Sequence, residues 1–243
     1  MKYIKNIFKH LKKIITHKIY VGYYCFKFGI PIQGLLHDLS KFSPVEFFES
    51  VKYYQGDKSP IDACKKANGW SKAWMHHKGR NPHHYEYWMD DFDHGGKPLM
   101  MPAKYAIEML CDYLGAGRAY MGKSFNFTAE YAWWLRKRSN GLAMRPELIY
   151  WIDLNLASLS DMSFFDCSPN KFGVMNVRYA YLGLSNTIMD YYKYADGKHA
   201  SPFVFKEIEF LNKKLKKYDK KCNKIMKKRF DKLEHLDSED DLY

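Results

Sequence analysis

Residues 3–28 read YIKNIFKHLKKIITHKIYVGYYCFKF. Ile4, Ile7, Phe8, Leu11, Ile14 and Ile15 recur at three- and four-residue spacing with lysines between them, which predicts an amphipathic helix. The pattern runs straight into His17 and a Tyr/Phe-rich continuation. The stripe is therefore expected to pack on a core, with a helix lying on a membrane surface as the alternative.

Further helices follow from their starts. Pro31 suits a first turn before a helical Gln33 to Lys41, and Ser43-Pro44-Val45-Glu46 is a capping box with proline at the first helical position. Ser59-Pro60 opens a segment expected to reach about His77, and Asn81-Pro82 repeats the cap-then-proline pattern ahead of His83, His84 and Glu86. Pro102 opens a helix through Glu108 and Asp112 to about Tyr120, and two more amphipathic segments follow Thr128 and Arg145-Pro146, ending near Ser160. No alternating β-branched run bounded by turn residues is convincing, so the fold is expected to be all-α. Residues 163–176 read as a connector. It leads to a helix from about Val177 to Tyr194 and, after Ser201-Pro202, to a long Lys-rich helix ending in the acidic Asp237–Asp241. The expected division is a helical domain over 1–162 and a helical extension over 163–243, the latter suited to docking or homo-oligomerisation.

Composition narrows the chemistry. No stretch approaches the roughly 20 apolar residues that span a bilayer, and the N-terminus has no signal-peptide pattern. The expectation is a cytoplasmic protein without a transmembrane segment. Cys25, Cys64, Cys111, Cys167 and Cys222 are widely separated with no CxxC pair, which suggests reduced, mostly buried thiols and leaves nitrogen and oxygen to hold any metal. The net charge of +12 belongs to the ends: residues 1–28 carry seven lysines and no acid, and residues 206–243 carry twelve Lys/Arg against nine acids. Such ends can hold nucleic acid non-specifically, although solvated lysine faces on helices are commoner and are the expected explanation.

Six of the ten histidines lie between His37 and His94. His37-Asp38 are adjacent, His76-His77 and His83-His84 are doubled, and a helix bearing Glu108 and Asp112 follows. Imidazole with carboxylate suits Zn, Fe, Mn, Co or Ni, and an adjacent His-Asp pair offers one nitrogen and one bridging carboxylate to a common centre. His10, His94, His199 and His235 fall outside this pattern and read as surface residues. Tyr85, Tyr87, Trp88, Phe92, Trp133-Trp134 and Met100-Met101 read as core.

In this order the motifs resemble the HD superfamily of metal-dependent phosphohydrolases, especially its two-metal members. They are more closely similar to a bacterial and phage domain family of unassigned function that carries HDxSK, HHxxxNxHHxE and EMxxDW. Here these are His37–Lys41, His76–Glu86 and Glu108–Tyr113, and the likeness covers roughly residues 10–160. Tyr85 stands where proline is common in that family and Tyr113 where tryptophan is common. The resemblance implies an HD-type helical bundle binding one or two divalent transition metal ions. His17, His37, Asp38 and Asp112 would surround one ion. Asp38 would bridge to a second, completed by His77 and one or both of His83 and His84, with His77 preferred over His76. Lys41 would sit beside a substrate phosphate, Glu108 would act in catalysis or orient a histidine, and Arg80 and Arg118 are further anion-binding candidates. The expected activity is hydrolysis of a nucleotide or related phosphate ester by metal-activated water. The alternatives are a di-iron oxygenase on the same scaffold and a non-enzymatic metal-containing module that binds nucleic acid or protein.

Overall fold

A computed structural model describes residues 2–56, 58–90, 92–161, 172–195 and 202–240. Among these the chain forms ten α-helices and one short antiparallel ribbon, so the fold is all-α. The chain divides into two compact units, Met1–Asp161 and Met162–Tyr243.

The first unit is built on α1 (Lys2–Phe28), α2 (Pro31–Leu36) and α6 (Ala103–Met121). Glycines let these helices approach closely. A Cβ on Gly115 of α6 would lie 2.5 Å from Val21 Cγ2 and 2.8 Å from Val21 N, and one on Gly34 of α2 would lie 2.8 Å from Cys25 Cβ. Val21, Phe28, Ile107, Leu110 and Leu114 form the buried seam. α3 (Pro44–Lys52), α4 (Pro60–Asn68) and α5 (Lys72–Lys78) lie along one side, and α7 (Phe127–Ser139) pairs with α8 (Pro146–Ser160) through buried Trp134, Leu148, Trp151 and Ile152. The N-terminus of α5 is fixed by α3: Ser71 caps Trp74 N and donates to Glu49, whose Oε1 also accepts from Ala73 N at 2.9 Å. In the second unit, α9 (Val174–Ala195) and α10 (Pro202–Asp240) pack through Tyr181, stacked on Tyr218, and through an Arg178–Asp219 ion pair.

Several boundaries differ from the sequence expectation. The helix expected from Gln33 to Lys41 stops at Leu36: His37 is extended, Asp38 is left-handed at φ 55°, and Leu39–Phe42 is a 3-10 turn. The segment expected from Ser59 to His77 is two helices, because Gly69 at φ 80° ends α4. Asn81-Pro82 opens a turn rather than a helix, followed by a 3-10 turn at Tyr85–Tyr87 and by β1 (Met89–Asp90) paired with β2 (Lys97–Pro98).

The α1 stripe is also corrected. Ile14 is buried and Ile7 and Leu11 are half-buried, but Ile4, Phe8 and Ile15 are exposed. His10 and His17 occupy core-facing positions with Ile14, Val21 and Tyr24, which turns the other apolar side chains outward. His10 is thus not a surface residue; it packs between Phe47 and Tyr54. His94 is exposed, while His199, Cys167 and most of the 163–176 connector lie outside the described residues, as does the side chain of His235. Met100, Met101 and Trp134 are core, whereas Tyr87, Phe92 and Trp133 are exposed. Cys25, Cys64, Cys111 and Cys222 are free and buried.

Candidate metal centre

The break at the end of α2 creates the centre. Neighbours within a helix point about 100° apart, so an uninterrupted helix would separate His37 from Asp38. The left-handed Asp38, the only non-glycine residue with positive φ among the described residues, folds its carboxylate back until Oδ2 lies 3.3 Å from His37 Nε2. Aspartate tolerates this backbone better than most residues.

Two groups of side chains then share Asp38, one at each carboxylate oxygen. Around Oδ2 stand His17 of α1, His37 and Asp112 of α6. His17 Nε2 is 3.3 Å from His37 Nε2, 3.3 Å from Asp38 Oδ2 and 3.1 Å from Asp112 Oδ1, and His37 Nε2 is 3.4 Å from Asp112 Oδ1. Around Oδ1 stand His77 of α5, His83 and His84. His77 Nε2 is 3.2 Å and His83 Nε2 3.4 Å from Oδ1, and the Nε2 atoms of His77 and His84 are 2.8 Å apart. Ligands about 2.1 Å from a cation stand about 3.0 Å apart in an octahedron and about 3.4 Å apart in a tetrahedron. The observed spacings, mostly 3.1–3.4 Å, fit such polyhedra. Oδ1 of Asp38 and Nε2 of His83 are buried with no hydrogen-bond partner, a costly state unless a cation completes them, while Oδ2 meets the Lys41 ammonium. These buried clusters can hold a metal ion.

The second ring nitrogens of His37, His77 and His83 are occupied. His37 Nδ1 lies 3.0 Å and His83 Nδ1 3.3 Å from Glu108 Oε1, and His77 Nδ1 lies 2.7 Å from Glu46 Oε2. Carboxylates on Nδ1 fix the tautomer and turn the Nε2 lone pair toward the centre. Asn81 Nδ2 donates to His77 O at 2.7 Å and to Ser40 Oγ at 2.8 Å, tying the segment after α5 to the turn after Asp38.

The electrostatics follow from burial and these contacts. Burial opposes protonation of His37, but Asp38, Asp112 and Glu108 outweigh it and push the imidazole well above its ordinary value. Burial would raise Asp38, yet the charges of His37, Lys41 and His77 hold it well below the usual carboxylate range. Asp112 is likewise held low, by His17 and His37. His84 is pushed well below ordinary histidine by burial and then by His83 and His77. Lys41 Nζ lies 2.5 Å from Asp38 Oδ2.

The structure brings together His17, His37, Asp38, His77, His83, His84, Asp112 and Glu108, with Lys41 at their edge. His76 is turned to Glu46 Oε1 instead, at 2.6 Å. Arg80 is exposed on the turn after α5. Arg118 is packed over Tyr20, Tyr23 and Phe125 at 5.3–5.9 Å, as a bolt between α1 and α6. Sequence reasoning missed Glu46, read only as a capping-box residue. Its backbone N–H is capped by Ser43, but its carboxylate serves His76 and His77, and no local pattern signals a partner thirty residues away. Lys137 was also missed; its ammonium lies 5.0–5.7 Å over Tyr85, Tyr113 and Trp133, beside the cluster.

No curated protein and no solved structure matches the chain. Residues 6–154 match a family of unknown function (DUF5662), a span that runs from α1 into α8 and contains every residue of the clusters. Because that match covers more than half of the sequence, the chain belongs to this family.

Proposed function

We infer that the chain is a metal-dependent hydrolase of phosphate esters, nucleotides among them, with a two-cation site like that of HD-type phosphohydrolases. The observation that carries this reading is the buried Asp38 carboxylate, faced by imidazoles at both oxygens and with no hydrogen bond at Oδ1. A carboxylate flanked in this way suits two adjacent cations. Divalent cations supply Lewis acidity, a water of lowered pKa and neutralisation of phosphoryl charge when bound. The protein's part is to hold the ligands rigidly. Glu46 and Glu108 fix the imidazoles from behind, and α1, α5 and α6 deliver ligands from separate helices. Lys41, more than a quarter exposed while resting on Asp38, stands where a phosphate oxygen would meet it, a preorganised charge for the transition state. Imidazole and carboxylate without thiolate also suit iron, so oxygen activation by a di-iron pair is the second reading.

Element-resolved analysis of protein purified without chelator, with assay on a panel of nucleotides and generic phosphate esters, tests this. Two cations per chain and hydrolysis are expected. Asp38→Asn, which keeps the left-handed backbone accessible, should lose both, and Lys41→Met should keep metal but lose turnover or affinity by about 10- to 1000-fold. Full metal content in Asp38→Asn would sink the site. Two irons with an oxygen-dependent spectrum and no phosphatase activity would shift the assignment to the oxygenase.

A further inference from the structure

The outward face of α1 carries large exposed apolar side chains from Ile4 to Phe26, interrupted at Gly22, where Gly34 of α2 packs against it. Ile4, Phe8, Ile15, Ile19 and Phe26 are each between 45 % and 71 % exposed. Their spacing alternates four and seven residues, an eleven-residue repeat that keeps all five within an arc of about 60° at 100° per residue. The stripe runs about 33 Å at 1.5 Å per residue. Ile32, Leu35 and Leu36 of α2, which packs beside α1, are exposed at 61–71 %. Large side chains clustered this way mark an interaction surface, unlike singly scattered ones.

Charge selects the occupant. Residues 1–28 contain seven lysines and no acid, and Lys5, Lys9 and Lys12 are exposed along one flank of the stripe. A second copy docking α1 on α1 would set lysine against lysine with no carboxylate from either helix to compensate. A surface that is apolar beneath and anionic above satisfies both features at once, as a bilayer of acidic phospholipid does. No helix among the described residues is long and apolar enough to cross a membrane, so α1 would lie in the interface plane. The opposite side of α1 carries His10, Ile14, His17 and Val21 into the fold, so docking would leave the clusters undisturbed, about one helix diameter, or ~10 Å, from the lipid. We propose that the exposed face of α1, extended by α2, docks the protein peripherally on membranes rich in anionic phospholipid. This does not depend on the hydrolase reading.

The test is co-sedimentation of the full chain with phosphatidylglycerol–phosphatidylcholine vesicles and with phosphatidylcholine alone. Binding is expected to the first, much less to the second, and to weaken with salt. Phe8→Ser combined with Ile19→Ser should reduce partitioning at least about tenfold, and replacing Lys5, Lys9 and Lys12 by Gln should reduce it on the order of a hundredfold at low salt, about fivefold per lysine. All these positions are exposed, and unchanged helicity and metal content of the variants would show that the fold is kept. Absence of binding to anionic vesicles, or binding that neither variant weakens, overturns the proposal. So does a solution dimer that Ile19→Glu splits, which would assign the stripe to a second copy.

Discussion

At the scale of single residues, the second ring nitrogen of each histidine matters as much as the first. Glu46 holds His77 Nδ1 at 2.7 Å from a buried position on α3, and removing such an oxygen partner typically weakens metal affinity about 10- to 100-fold. Glu46→Gln keeps the shape and loses the charge. We expect it to fold normally and to bind the metal that competes best for the wild type with an affinity reduced in that range, measured by chelator competition. Unchanged affinity would leave Glu46 a helix-packing residue. Glu130 is a different case, since it is buried where Gly117 leaves room for its carboxyl. Burial, with Asp112 adding to it, pushes its pKa up to about 8. Between the ordinary value of 4.5 and about 8, the folded state keeps a proton that the unfolded chain has released, so this group's contribution to stability falls as pH rises through that window. Glu130→Gln cannot ionise. Its melting temperature should match wild type near pH 4 and exceed it by several degrees at pH 9; a constant offset at all pH values would refute the assignment.

At the scale of elements, the α1–α6 crossing sets the first cluster. His17 lies one turn before Val21, and Asp112 lies three residues before Gly115, the two residues whose backbones nearly touch. Gly115→Ala puts a methyl where Val21 already stands, and overpacking of this kind costs about 1–3 kcal/mol. The helices should part by a fraction of an ångström, so thermal stability and metal affinity should fall together. Loss of stability with full metal affinity would show that the first cluster tolerates movement of α1. The same scale explains the missed boundaries. Gly69 and Asp38 each take a left-handed backbone at a point where the apolar periodicity alone reads as continuous.

For the whole molecule, every ligand candidate lies in the first compact unit, before α7. A chain ending at Asp161 should therefore fold and show a metal-dependent rise in melting temperature comparable with that of the full chain. Ligation of the native state alone contributes about 2.7 kcal/mol at a hundredfold excess over Kd. If the shift appears only in the full chain, residues beyond Asp161 take part in forming the site.

The helical content and most helix starts were legible because they rest on local physics, and the crowding of histidines and carboxylates between His37 and Asp112 was visible as composition, whereas the choice of His17, and of His77 over His76, came from the family resemblance. Caps, prolines and apolar periodicity act over a few residues, and imidazole and carboxylate carry their coordination chemistry wherever they stand. The pairing of Glu46 with His77, the rotation of α1 that buries His10 and His17 while exposing Phe8 and Ile19, and the division of ligands between the two oxygens of Asp38 were decided by tertiary structure alone. Each depends on contacts between residues 20 to more than 70 positions apart, and on one left-handed backbone that local pattern does not mark. Only when the helices pack does an apolar residue on a periodic stripe become core or surface, or a histidine become buried beside a carboxylate.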